Sequence, residues 1–167
     1  NTKSQLNLFE ACRVAKIQPQ IVVASSAAVY GPVRPDEVPL KETAPLRPTT
    51  PYGVSKIAQD MLALQYTLTY NWHIVRARAF NHIGPGQIGD FVAPAFALQI
   101  ARIEAGEQEP IIRVGDLSAK RDFTDVRDVV RAYHLMLEKG IAGEDYNIAC
   151  GEAYSIQYIL DELIRLS

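Results

Sequence analysis

The chain has 167 residues, 48% hydrophobic and 22% charged, a composition ordinary for a globular protein with a sizeable core. Its formal net charge of −2 gives no electrostatic case for nucleic acid or for an anionic membrane surface. No apolar run is long enough to span a bilayer, no signal-peptide pattern is evident, and Cys12 and Cys150 lack CxxC spacing or a nearby His cluster; they are read as reduced thiols in a cytoplasmic protein without a metal site.

Residues 2–15 carry an approximate apolar stripe (Leu6, Phe9, Cys12, Val14) with Pro19 beyond its end, which predicts a helix. Residues 20–25 form a nearly continuous apolar run, the mark of a strand buried on both faces. Six prolines between Gly31 and Pro51 predict a loop, and Pro51 then suits the first turn of a helix over residues 52–70. A second buried strand is predicted over 73–80, a Gly-rich loop over 81–89, a helix over 91–105 and a short strand over 110–114 followed by a polar loop. A helix over 126–139 ends at Gly140, a third buried strand covers 146–149, and Ser155 caps a final helix. Strands alternating with long helices imply an α/β fold with a parallel sheet covered on both faces. No Gly-rich strand-to-helix turn of the dinucleotide-binding type is present, and Gly84-Pro85-Gly86 has the wrong spacing for one.

The chemistry-bearing pattern is Tyr52-Gly53-Val54-Ser55-Lys56, with Ser25-Ser26 upstream. Tyr52 and Lys56 lie one helical turn apart on the same face. A cation beside a phenol favours the phenolate, pulling the Tyr pKa down from about 10. Tyr52 then becomes a candidate proton donor or acceptor on an alcohol or carbonyl oxygen, with the Ser26 hydroxyl holding the same oxygen while a hydride moves elsewhere. A lone YxxxK is a weak signal. It gains weight here because both serines and Asn81 follow predicted strands, and ligands of open α/β sheets sit off the carboxyl ends of strands. Arg76 and Arg78 are read as structural, snorkelling or pairing with carboxylates. Asp122, Asp125 and Asp128 surround a helix start, where negative charge is favourable without any ligand. His82 and His134 are read as hydrogen-bonded structural residues and His73 as a surface residue.

The segments SSAAVYG (25–31), YGVSK (52–56), RARAFNHIGPGQ (76–87), RVGDLSAKRDFTDVRDVVRAY (113–133) and YNIACGEAYSI (146–156) together resemble an extended short-chain dehydrogenase/reductase of the NAD-dependent epimerase/dehydratase family, over nearly the whole chain and in order. The fourth segment is most similar to the branch containing GDP-mannose 4,6-dehydratase and GDP-4-keto-6-deoxymannose reductase. The resemblance implies a Rossmann-like parallel sheet. Residues 1–90 would be the later half of the dinucleotide-binding domain, without its Gly-rich N-terminal part. Residues 91–167 would be a mixed nucleotide-sugar-binding region that includes returning elements of the sheet and part of a small C-terminal substrate-binding domain. It implies Ser26, Tyr52 and Lys56 as catalytic residues. Cofactor contacts, with NAD or NADP, would come from Ala24, Ser25, Tyr52, Lys56, Phe80, Asn81, His82 and Ile83. Contacts to a GDP-sugar would come from Ser26, Ala27, Asn81, Phe91, Val92 and Arg121, the last on the diphosphate. It also implies a homodimer through a four-helix contact of the helices over 2–15 and 52–70, with the missing N-terminal half supplied by a longer chain or a partner.

One departure bears on the reaction. In the 4,6-dehydratases an acidic residue follows the Ser/Thr and serves the elimination of water; here Ala27 and Ala28 stand there and can neither give nor take a proton. The expectation is therefore reduction of the C4 ketone of a GDP-4-keto-6-deoxyhexose, giving GDP-rhamnose. The alternatives are GDP-mannose 4,6-dehydration, nucleotide-sugar 4-epimerisation, or a fragment inactive without a partner.

Overall fold

The computed structural model describes all 167 residues, which divide into two units: Asn1–Phe80 with Arg127–Ile148, and Asn81–Val126 with Ala149–Ser167. The first unit holds helices α1 (Thr2–Val14), α2 (Pro51–Tyr70) and α4 (Val126–Lys139, from its second residue on), and strands β1 (Ile21–Ala24), β2 (Ile74–Ala79) and β5 (Asp145–Ile148). The strands form one parallel sheet in the order β1-β2-β5, with Ile21 opposite Ile74 and Arg76 opposite Asp145. All six residues of β2 are buried, as its central place requires.

Strand alternation sorts β2 onto two faces. Ile74 joins Phe9, Val23, Ala63, Tyr66 and Trp72 in a core beneath α1 and α2. Val75, Ala77 and Ala79 join Val129, Met136 and Ile148 beneath α4. Arg76 and Arg78 share the parity of Ile74 and therefore face α2. β1 departs from the expected strand buried on both faces: Ile21 and Val22 are half-buried and Ala24 is exposed. The reason is that β1 has a single strand neighbour, β2.

The predicted Pro-rich loop contains only a 3-10 turn over Pro35–Glu37, and a second 3-10 turn, Ala27–Val29, follows β1. Gly31 is required where it stands: its φ is +68°, and a Cβ there would lie 1.9 Å from the Arg47 carbonyl oxygen.

The second unit holds α3 (Val92–Glu104), α5 (Ile156–Leu166) and a sheet in the order β3-β4-β6, formed by Asn81–Ile83, Lys120–Asp125 and Ala153–Ser155. β3 pairs with β4 in parallel and β6 with β4 antiparallel. Phe96, Ile156 and Leu160 form its core, with Val92, Ile112 and Phe123 against them. Three expectations are corrected here. Residues 81–83 are a strand rather than loop, the polar stretch after 114 contains β4, and residues 110–114 form no strand. At the last of these the Gln99 side chain stands in for a strand partner: its amide donates to the Arg113 carbonyl at 3.1 Å and accepts from the Arg113 N–H at 2.8 Å. No helix is long and apolar enough to cross a membrane.

Candidate functional site

α2 begins where local chemistry dictates. Thr50 is extended, its Oγ1 accepts from the Gly53 N–H at 3.0 Å, and Pro51 occupies the first turn, where a missing N–H costs nothing. This start places Tyr52 at the opening of the helix with half its surface exposed. Lys56 follows one turn on, its ammonium 5.6 Å from the centre of the Tyr52 ring. The same ammonium donates to the Ala24 carbonyl at 2.9 Å, at the carboxyl end of β1. Partial burial pulls the Lys56 pKa down, since burial penalises the charged form. One of its three N–H donors is taken by Ala24, leaving two for a ligand.

Ser26 lies two residues beyond β1. It is extended, half-buried, and caps the following turn by accepting from the Ala28 N–H at 3.2 Å. That bond uses an oxygen lone pair and leaves the hydroxyl proton for a ligand oxygen. Ala27 and Ala28 form the turn itself and offer only methyl groups. Gly53 lets α2 approach this turn: a Cβ there would lie 2.8 Å from the Ala28 carbonyl oxygen.

Beneath lies a buried charged network absent from the candidate set. Asp60, two turns along α2 from Tyr52, is fully buried. Its Oδ1 accepts from Arg76 at 2.5 Å and from Arg78 at 3.2 Å, and its Oδ2 accepts from Arg78 at 3.0 Å and from the Ser25 hydroxyl at 2.8 Å. Arg76 also donates to Asp145 at 2.9 Å, and Arg78 ion-pairs with the other oxygen of that carboxylate. Burial works to raise the Asp60 pKa, but the Arg78, Ser25 and Arg76 interactions outweigh it and hold the carboxyl below its usual range. For Asp145 burial dominates over the two arginines and pushes the carboxyl up. Tyr30 sits on the same network, accepting from Arg78 at 3.0 Å and donating to Asn147 at 2.7 Å. Arg76 and Arg78 thus pair with carboxylates. The sequence signal for Asp60 is its spacing: residues 52, 56 and 60 share a helix face.

Of the expected site residues, Ala24, Ser25, Ser26, Ala27, Tyr52, Lys56 and Phe80 belong to the first unit. Ser25 is buried with its hydroxyl turned to Asp60, and Phe80 follows β2, with its N–H donating to the Ile148 carbonyl at 2.9 Å. Asn81, His82, Ile83, Phe91, Val92 and Arg121 belong to the second unit. There Asn81 and His82 are exposed on β3, Phe91 precedes α3 with about half its surface exposed, Val92 packs on the core, and Arg121 is exposed on β4 with one N–H on the Lys120 carbonyl at 2.7 Å. Asp122 accepts from the Cys150 and Gly151 N–H groups at 2.9 and 2.7 Å, tying β4 to the turn before β6. No group of three or more His, Cys, Asp or Glu is arranged to hold a metal ion.

A family model described as GDP-mannose 4,6 dehydratase matches residues 1–165. GDP-6-deoxy-D-mannose reductase of Pseudomonas aeruginosa is 40% identical over 167 residues, covering 100% of this chain and 55% of that protein. The human GDP-mannose 4,6 dehydratase is 34% identical over 139 residues, 83% of this chain and 36% of that protein. Among solved structures, RMD from Pseudomonas aeruginosa complexed with NADPH superposes with a TM-score of 0.92 at 40% identity, over 94% of this chain and 53% of that one. The dTDP-glucose 4,6-dehydratase of Bacillus anthracis in complex with NAD gives 0.82 at 29% identity, over 97% and 50%. The chain spans about half the length of these relatives or less.

Proposed function

This chain belongs to the GDP-mannose 4,6-dehydratase family of the extended short-chain dehydrogenase/reductases, and on that premise we propose that it carries the acid/base centre of a reductase acting on the C4 ketone of a GDP-4-keto-6-deoxyhexose. The observation that carries the reading is the turn after Ser26. Elimination of water needs a base for the C5 proton and an acid for the leaving hydroxyl, and Ala27 and Ala28 supply neither. Ketone reduction needs only one proton at O4, which Tyr52 can deliver. The 40% identity to a GDP-6-deoxy-D-mannose reductase supports the same choice.

In this reading the Ser26 hydroxyl donates to the sugar O4 and orients the ketone. Tyr52 gives its phenolic proton to the same oxygen as the alcohol forms, and solvent restores it. Lys56 stabilises the transient phenolate by its charge and is held in place by the Ala24 carbonyl. Its two remaining donors suit the hydroxyls of a nicotinamide ribose, so the residues fit a nicotinamide cofactor. NADPH and NAD accompany the related structures. When bound in its reduced form, that cofactor supplies the hydride. Ala24, Ser25, Phe80, Asn81, His82 and Ile83 are proposed as further cofactor contacts. Ala27, Asn81, Phe91, Val92 and Arg121 are proposed contacts to the GDP-sugar, with Arg121 offering an exposed guanidinium to the diphosphate.

A homodimer through α1 and α2 goes with this reading. Val54, Met61 and Leu68 stand seven residues apart on α2 and are 55%, 38% and 76% exposed, an apolar stripe suited to a partner helix. A cytoplasmic location accords with two free cysteines, Cys12 and Cys150. A 4,6-dehydratase is the second reading, favoured by the 34% identity to the human enzyme. The test is product mass from the full-length protein. Reduction of a GDP-4-keto-6-deoxyhexose adds two hydrogens, whereas loss of water from GDP-mannose would replace this reading with dehydration. Tyr52→Phe should abolish the reduction.

A further inference from the structure

We propose that Asp60 is a positioning residue for the reaction, acting through the Ser25 hydroxyl to hold the Ala24–Ser26 segment against α2. The inference rests on the reading that Ser26, Tyr52 and Lys56 carry the chemistry.

Asp60 is tied in three directions at once. Its helix, α2, also carries Tyr52 and Lys56. Its carboxylate is gripped by Arg76 and Arg78 from β2, and its Oδ2 accepts the Ser25 hydroxyl 2.8 Å away, just past β1. Ser25 is flanked on one side by Ala24, whose carbonyl holds the Lys56 ammonium, and on the other by Ser26, whose hydroxyl is offered to the substrate. The Asp60–Ser25 bond and the Lys56–Ala24 bond therefore run between the same two segments, one helical turn apart on α2 and one residue apart at the end of β1. Together they set the distance between the Tyr52 side of the site and the Ser26 side.

A stabilising role alone accounts poorly for this arrangement. Buried ion pairs add little net stability over apolar packing of the same volume, because desolvation consumes most of the Coulombic gain. What they supply is a directional fixed point. The two arginines prevent Asp60 from turning, so the remaining lone pair on Oδ2 is aimed at Ser25. Reactions of this kind are sensitive to such fixing, since a displacement of about 1 Å in a positioning group can cost roughly 100-fold in rate.

Ser25 gives the cleaner test, because changing it leaves the charged network whole. In the full-length protein, with a GDP-4-keto-6-deoxyhexose and NADPH, Ser25→Ala should lower kcat by about 10-fold, with KM for the sugar within about 2-fold of wild type and a drop in Tm of a few degrees from the lost buried hydrogen bond. Ser25→Thr keeps the hydroxyl and should recover most of the turnover. Asp60→Asn should lower kcat at least as much, and adding Ser25→Ala to it should cost nothing further, since the two act as one unit. An unchanged kcat in Ser25→Ala overturns the positioning role, as does a loss that Ser25→Thr fails to recover. If Asp60→Asn does not fold, the Ser25 pair still decides the matter. Tyr52→Phe separates the two levels of the argument: wild-type turnover there removes the underlying reading, whereas lost turnover there with an unaffected Ser25→Ala removes only the role of Asp60.

Discussion

Gly53 and Ala28 meet so closely that a Cβ at position 53 would stand 2.8 Å from the Ala28 carbonyl oxygen and 3.0 Å from the Pro48 Cβ. The first obstacle is backbone, so no rotamer change relieves it. Gly53→Ala must push the start of α2 away from the turn that carries Ser26, and Tyr52 moves with it. The better helix propensity of alanine returns about 1 kcal/mol, against an overpacking cost of about 1–3 kcal/mol. The net loss of stability should be small, about 1 kcal/mol, while kcat should fall by about 10-fold or more if Tyr52 and Ser26 act on one substrate oxygen as proposed. Urea denaturation alongside steady-state kinetics checks both, and unchanged kcat would refute the link between this contact and the chemistry.

Much of the first unit was legible because local chemistry and tertiary structure agree there. Pro51 announces the start of α2, Gly140 marks the end of α4, and the apolar run before Ser25 becomes β1. The Tyr52/Lys56 pair follows from helical spacing alone. The second unit was less legible because its sheet rests on pairing rather than apolar runs. β4 reads Lys-Arg-Asp-Phe-Thr-Asp, with only Thr124 fully buried, and β3 and β6 have three residues each. Conversely, residues 110–114 look apolar enough for a strand, yet Ile111 is exposed and Gln99 occupies the backbone of Arg113. The carboxylate partners of Arg76 and Arg78 could not be named from sequence, since Asp60 and Asp145 reach them from different elements.

Asp60 should leave a signature in the acid limb of stability. Its folded carboxyl lies below its ordinary value of 3.8, so its contribution is present above that value and is lost as pH falls through the depressed folded value. Asp145 works in the opposite sense: its carboxyl is raised, so its contribution is present at low pH and is lost as pH rises through the folded value. Asp60→Asn at neutral pH removes the fully buried one of the two carboxylates that Arg76 and Arg78 share, leaving them Asp145 alone, and should cost about 3–5 kcal/mol. Below pH 3.8 the unfolded chain takes up the proton at this carboxyl before the folded protein does, so the gap between the two proteins should narrow until the folded carboxyl is also neutral like the amide. Denaturation from about pH 6 down to about pH 2.5 measures it. A gap that stays constant over that range would mean that Asp60 does not titrate with folding.

Ser155 offers a test confined to the second unit. Its Oγ accepts from the Tyr158 N–H at 3.1 Å and closes the start of α5, whose Ile156 and Leu160 supply the local core. Ser155→Ala should destabilise by about 1 kcal/mol, and Ser155→Asp, which also caps, should restore it. Urea midpoints for the parent and the two variants decide the point. A Ser155→Ala midpoint equal to that of the parent would show that the cap adds nothing to the pairing of β6 with β4.

The stripe on α2 leads to a prediction about assembly. Val54, Met61 and Leu68 repeat every seven residues, the period of a helix seam in a bundle, while the opposite face of α2 is spent on Asp60, Ala63 and Tyr66 inside the first unit. Burying a Leu- or Met-sized side chain completely is worth about 1.5–3 kcal/mol, and a two-fold contact would bury each of them twice. Met61→Glu with Leu68→Glu replaces that gain with like charges brought face to face, so the dimer constant of the full-length protein should weaken by roughly 100-fold or more. Light scattering during size-exclusion chromatography should then report a monomer for the variant and the proposed dimer for the parent protein. The internal faces of α1 and α2 are untouched by these changes, so far-UV circular dichroism should stay the same. A parent protein that is monomeric at micromolar concentration, or a variant that remains dimeric, would remove α2 from the interface and leave its stripe as exposed apolar surface.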